Sequence, residues 1–307
     1  MDVYLPIAEL PVNMLMIAGM GLAVGFLSGM FGVGGGFLMT PMLIFWGIPP
    51  AIAVGTQSMQ VVASSITGAL AHFRHKAVDV KMGLVLLVGG MGGSVCGVFL
   101  FSYLRALGQI DLVISLTYVV LLTIIGALML RESLQAIWAK RSGRSASRGR
   151  GSRHNWVHGL PIKMRFRQSR LYISAIPPVL IGFFVGVLAA ILGVGGGFIM
   201  VPAMIYLLRM PTTVVIGTSL FQIVFVTALV GVMHAVQNQA VDVVLGLLLV
   251  VGGVVGAQLG ARAGHRLQAE QLRLLLALLV LGVGARLGYD LVTRPADLYS
   301  IARDVVG

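Results

Sequence analysis

Charge is what this chain has least of. Of its 307 residues 10% are charged, and only 10 are Asp or Glu, where a soluble domain carries about 25% charged residues. No Asp, Glu, Lys or Arg lies between Glu9 and Arg74, between Arg170 and Arg209, or between Arg209 and Asp242. With 58% hydrophobic residues, a soluble fold would leave far too much apolar surface in water. A bilayer removes that conflict and points to an all-α polytopic membrane protein. Cysteine is nearly missing as well. The lone Cys96 excludes an intrachain disulfide and a Cys-rich metal site. Also absent are H-E-x-x-H, a carboxylate pair and G-x-S-x-G, so no enzyme activity, catalytic residue, cofactor or metal is expected. The first residues carry Asp2 and Glu9 where a secretory signal would be basic, so the first apolar run is expected to stay as a span.

What the chain has in abundance is glycine, 41 residues, and part of it is written twice. Phe31-Gly32-Val33-Gly34-Gly35-Gly36-Phe37-Leu38-Met39-Thr40-Pro41 is answered 161 residues later by Leu192-Gly193-Val194-Gly195-Gly196-Gly197-Phe198-Ile199-Met200-Val201-Pro202. Most of the other glycines are expected to pack helices closely. A broken apolar segment repeated in both halves of a membrane protein points to a transport site at the repeat interface.

Apolar runs predict five segments, roughly 12–30, 35–50, 52–72, 82–104 and 112–130, and five more at roughly 172–192, 196–208, 212–234, 243–262 and 272–290. The second and seventh are too short for ordinary spans and start in a Gly triplet, so they are expected to be short or broken helices. The domains expected are a first membrane repeat (1–130), a basic cytoplasmic loop (131–170) and a second membrane repeat (171–307). With the N-terminus outside, every Lys and Arg except Arg105, Arg286, Arg294 and Arg303 falls on the cytoplasmic side. Matching loops carry opposite charge patterns. Arg74, Lys76 and Lys81 stand where the second half has Gln237, Asn238 and Gln239, while Arg105 alone matches Arg262, Arg266 and Arg273. An inverted pair of five-segment repeats demands that swap. The competing count is eight spans, with segments two and seven re-entrant and the copies parallel.

Half of the 22 Lys and Arg lie in 131–170, which explains the net charge of +12 without nucleic acid. The loop is expected against anionic lipid headgroups, with Trp156–Phe166 as an interfacial amphipathic segment. The assembly is open between a monomer and a homodimer.

The knots end without the Lys-Ser/Thr of a phosphate-binding loop, and no carboxylate lies near them for magnesium. Gly34, Gly35 and Gly36, with Gly195, Gly196 and Gly197, would instead offer backbone N–H groups at two helix starts, an anion site without a buried cation. Gly55-Thr56-Gln57-Ser58-Met59-Gln60 matches Gly217-Thr218-Ser219-Leu220-Phe221-Gln222. Thr56, Gln57 and Gln60, with Thr218, Ser219 and Gln222, are therefore candidate substrate groups, the alternative being interhelical glue. Ser64, Ser65 and Thr67 are set against Phe225, Val226 and Ala228 and find no polar match. His72 and His234 match at helix ends and are candidates for proton coupling. Asp79 and Asp242 match as helix N-caps.

The doubled G-x-G-G-G-F-[LI]-M-x-P, each copy followed by Gly-Thr, resembles the TauE/SafE family of sulfite and organosulfonate exporters, over nearly the whole chain outside the central loop. The resemblance implies a bacterial inner-membrane secondary transporter for sulfite, sulfoacetate or a related small anion. It places Gly34, Gly35, Gly36, Pro41, Thr56 and Gln60 in one family region, and Gly195, Gly196, Gly197, Pro202, Thr218 and Gln222 in the other. The coupling ion would be a proton or sodium. The competing functions are an anion channel, a carrier for a different organic anion, or an assembly subunit.

Overall fold

The computed structural model describes residues 2–31, 35–74, 76–141, 163–166, 168–169, 171–264 and 269–293. Gly34 and the stretch 142–162 of the basic loop lie outside the described residues. Each half opens with a β-hairpin and continues in five helices. The first half holds β1 (Asp2–Leu5), β2 (Leu10–Asn13), α1 (Met14–Phe31), α2 (Gly36–Phe45), α3 (Pro50–Arg74), α4 (Val80–Ala106) and α5 (Ile110–Arg141). The second holds β3 (Lys163–Phe166), β4 (Leu171–Ser174), α6 (Ile176–Leu192), α7 (Gly197–Tyr206), α8 (Thr212–Gln237), α9 (Val243–Gly264) and α10 (Ala269–Val292).

The protein is a helical, multi-pass inner-membrane protein. On α5 the residues Leu112, Leu116, Val120, Ile124 and Leu128 are each half or more exposed. Four-residue spacing puts them on one face, a row that only hydrocarbon tolerates. Among the described residues α4, α5, α8, α9 and α10 are long and apolar enough to cross a membrane. The other segments differ for identifiable reasons. α2 and α7 have 10 residues each, about 15 Å of helix and half a hydrocarbon core. α3 has 25 residues, but Thr56, Gln57, Ser58, Gln60, Ser64 and Ser65 interrupt its apolar run, all turned inward and buried.

The hairpins have no counterpart in the sequence reading. Each strand is four residues long, too short for a two-residue period to stand out beside an apolar run. Here the expected amphipathic segment over Trp156–Phe166 needs correction. Residues 156–162 lie outside the described set, and Lys163–Phe166 is a strand paired antiparallel with Leu171–Ser174. Lys163-Met164-Arg165-Phe166 alternates polar and apolar, which is a strand's period. Phe166 is fully buried, packed with Met82, Leu86, Met200 and Met204.

The helices fall into two compact units, and each unit draws on both halves of the sequence. One holds α5 and α10, where Gly126 faces Leu281 and Gly284 faces Leu122. The other holds α1–α4 and α6–α9. Within it α1 packs on α9, α4 on α6 and α3 on α8, a pattern unchanged when the halves are exchanged. The first two interfaces bring backbone onto backbone. A Cβ on Gly25 or Gly29 would land on the carbonyl of Gly253 or Ala257, and one on Gly89 or Gly93 on that of Val179 or Phe183. Helices approach this closely only through small residues.

Candidate functional site

Glycine in the left-handed region opens both short helices. Gly35 (φ 70°) caps α2 and Gly196 (φ 78°) caps α7, and neither can offer a side-chain acceptor to the first-turn N–H groups. The two starts come together. Phe37 and Phe198, matched residues of the repeat, stack face to face with centroids 4.2 Å apart and planes at 7°. Gly36 lies so close to the second knot that a Cβ there would be 2.6 Å from the Val194 carbonyl.

Gln57 ties the two knots. It is fully buried, and its Nε2 donates to the carbonyls of Gly36 (2.8 Å) and Gly193 (2.5 Å). Its Oε1 accepts from the Thr40 hydroxyl at 2.5 Å. The counterpart Ser219 donates only to its own helix, to the Ile216 carbonyl at 2.9 Å.

Thr56 and Thr218 face the loops that lead into α9 and α4. The Asp242 N–H donates to Thr56 Oγ1 at 2.9 Å, and the Asp79 N–H to Thr218 Oγ1 at 3.0 Å. The two aspartates cap these helices. Asp79 Oδ1 accepts from Met82 N–H, and Asp242 Oδ1 from Val244 and Leu245 N–H. Their second oxygens hold the hairpins. Asp242 Oδ2 accepts from Ile7 N–H at 3.0 Å, and Asp79 Oδ2 from the N–H (3.0 Å) and hydroxyl (2.7 Å) of Ser169.

The histidines are not brought together. α3 and α8 run antiparallel, with Gly68 against Leu220 and Gly231 against Ser58, so their C-terminal ends point apart. His234 is buried edge-on to Phe101, its Nε2 2.9 Å from the Ala190 carbonyl and its Nδ1 3.1 Å from Asn238 Nδ2. Asn238 donates there, so Nε2 carries the proton and the ring is neutral. His72 is half-buried near the end of α3, beside Gly217.

Gln60 and Gln222 have a different character. Gln60 lies over Gly253 of α9, and Gln222 over Gly90 of α4. Both atoms of the Gln60 amide and the Gln222 Oε1 are buried without a hydrogen-bond partner. Three hydroxyls share that state, Ser65 on α3, Ser133 on α5 and Thr227 on α8. Buried polar groups are nearly always bonded, so each of these exceptions calls for an explanation.

A family model described as "Sulfite exporter TauE/SafE" matches residues 17–287. The chain belongs to this family. As a TauE/SafE member it is a membrane transporter, not an enzyme. It is 25% identical over 294 residues to the "Probable membrane transporter protein YunE" of Bacillus subtilis, covering 91% of this chain and 98% of the relative. It is 28% identical over 271 residues to that organism's "Probable membrane transporter protein YjnA", covering 87% and 97%. A "Probable membrane transporter protein" of Xylella fastidiosa strain Temecula1 is 31% identical over 264 residues, covering 84% and 88%. No solved structure matches the chain.

The match of Ser65 with Thr227 in this TauE/SafE chain escaped the sequence reading through a register error. Thr56 and Thr218, and Gln60 and Gln222, are 162 residues apart, whereas the knots are 161 apart. Carrying the knot offset into α3 sets Ser65 against Val226. The local offset sets it against Thr227.

Proposed function

We propose that this transporter carries a small sulfur oxyanion, such as sulfite, sulfoacetate or a related organosulfonate, across the bacterial inner membrane by alternating access. The observation that carries this reading is the meeting of two glycine-capped helix starts, one from each half, tied by Gln57, with the unpartnered Gln60 amide one turn further along the same helix. An anion in mid-membrane must lose its water. The N–H groups at Gly34–Gly36 and Gly195–Gly197 and the two amides replace it, and they do so without a cation. Gln57, Thr56, Thr218 and Ser219 hold the surrounding backbone in place. The antiparallel run of α3 and α8, matched helices of the two halves, supports an inverted pair of five-segment repeats. Both termini then lie in the periplasm and loop 131–170 in the cytoplasm, against anionic lipid. A proton or sodium gradient drives the movement. If protons do, His72 and His234 at opposite ends of the crossing helices are the relay.

An anion channel is the second reading, because two meeting helix starts also suit a pore. Counterflow separates the two. Purified protein in proteoliposomes preloaded with unlabelled sulfite should take up labelled sulfite faster than unloaded vesicles. Uptake that follows only the membrane potential, with no acceleration by preloading, would replace the carrier with a channel.

A further inference from the structure

On the crossing helices, small hydroxyls find a partner in their own backbone. Ser58, Ser64 and Thr67 on α3 donate to carbonyls of the preceding turn, at 2.6, 3.1 and 3.0 Å, and Ser219 on α8 does so at 2.9 Å. This is the ordinary fate of a helical serine or threonine. Ser65 and Thr227 do not follow it. They are 0% and 1% exposed, bond nothing, and occupy the same position of the repeat.

Thr227 also has a direction. A Cβ built on Gly195 would lie 3.3 Å from the Thr227 hydroxyl oxygen, 3.3 Å from Ile223 and 2.5 Å from Val61. The hydroxyl is therefore aimed at the knot that opens α7, closely packed beside Val61 and Ile223. The knot brings the positive end of a 10-residue helix whose N-cap glycine supplies no acceptor. A neutral hydroxyl, helix-start N–H groups and an apolar wall suit an oxyanion of one charge. The cost of stripping water from an ion rises with the square of its charge. No Lys or Arg lies between Glu9 and Arg74 or between Arg209 and Asp242 to offset a second one.

We propose that Thr227, at the knot of the second half, and Ser65, its counterpart in the first, are ligand-binding hydroxyls of two equivalent half-sites. Each half-site takes a singly charged oxyanion head, a sulfonate or hydrogen sulfite, and rejects a compact dianion. The choice of sulfur oxyanions rests on the carrier reading above. The hydroxyls discriminate by charge, because every donor that faces the ligand is neutral.

The test uses methanesulfonate as the singly charged probe and sulfate as the doubly charged one. Calorimetry measures their binding to purified full-length protein, and counterflow of labelled sulfite is followed alongside. Thr227→Val keeps the shape and removes the hydroxyl, Thr227→Ser keeps the hydroxyl, and Ser65→Ala removes the other one. Thr227→Val and Ser65→Ala should each weaken methanesulfonate binding by about 5- to 150-fold. Thr227→Ser should bind as wild type, and sulfate should not bind. Without ligand, Thr227→Val should melt at or above the wild-type temperature, since no bond is lost. Wild-type affinity in both hydroxyl-free variants would overturn the half-sites and leave the carrier reading standing if counterflow persists. So would sulfate binding as tight as methanesulfonate, or a wild type that binds neither probe. Binding that depends on Thr227 without any counterflow would keep the half-sites and remove the carrier.

Discussion

Gln57 and Gln60 sit one turn apart on the same helix and are both fully buried, yet replacing each by leucine should have opposite consequences. Gln57→Leu removes the donor shared by the Gly36 and Gly193 carbonyls and the acceptor of the Thr40 hydroxyl. Thr40 keeps an alternative in the Leu192 carbonyl, 3.3 Å away. The Gly36 carbonyl, first in α2, keeps the N–H of Thr40 one turn on, so the stranded Gly193 carbonyl dominates the loss. Hydrogen bonds within membrane proteins average about 0.6 kcal/mol, and a buried group left unsatisfied costs about 1–3 kcal/mol. The substitution should therefore destabilise the fold by about 2–5 kcal/mol. Gln60→Leu strands nothing, since neither amide atom has a partner, and it relieves a buried polar group. Its effect should be neutral or stabilising by about 1 kcal/mol. Reversible unfolding of the purified protein in mixed micelles, titrated with a denaturing detergent, measures both on one scale. Equal destabilisation by the two variants would refute the assignment of Gln57 to holding the knots and of Gln60 to the site.

The Phe37–Phe198 stack should show up in a double-mutant cycle. The two alanine substitutions together should cost about 0.5–1.5 kcal/mol less than the sum of the singles, and additive values in the same unfolding assay would argue that the rings do not hold the helix starts together. Asp79→Ala removes the α4 cap and the tie to Ser169. It should lose about 0.5–2 kcal/mol for the cap, and limited proteolysis should cut faster within 163–174; an unchanged digestion pattern would show that the hairpin holds without the aspartate. Gly93→Leu drives a side chain into the Phe183 backbone and should abolish monodisperse protein on size exclusion, whereas Gly282→Leu, with open space around its Cβ, should leave it intact. A periplasm-active reporter fused after Arg150 should stay silent and one after Val306 should be active; a silent C-terminal fusion would count against the inverted repeat.

The sequence was most legible where the backbone itself is constrained. The Gly35 and Gly196 caps could be located because only glycine enters the left-handed region at no steric cost, and the constraint was written twice. The aspartate caps were visible for a similar reason, since the side chain serves its own helix three residues on. Their second role, holding the hairpins, was not visible, because Ile7 and Ser169 lie far away in the chain. The composition of α3 showed polar residues, but composition cannot distinguish Gln57, bonded to both knots, from Gln60, bonded to nothing. That difference arises from whether a carbonyl or a glycine Cα lies opposite. Ser65 and Thr227 were hidden by one residue of drift between the halves. On a helix one residue turns a side chain by about 100°, enough to pair a buried hydroxyl with the wrong neighbour.

The interfaces of glycine against backbone also bear on how the protein is made. α1 and α4 belong to the half that leaves the ribosome first, while their partners α9 and α6 belong to the half that follows the basic loop. Until α6 and α9 enter the membrane, the grooves along Gly25–Gly29 and Gly89–Gly93 have only lipid to fill them, and lipid chains fit a backbone groove poorly. The first half is thus inserted before it can be assembled. An early intermediate carries two open seams, and closure must wait for translation to finish. The two halves expressed as separate polypeptides should consequently need each other in the same membrane to escape degradation.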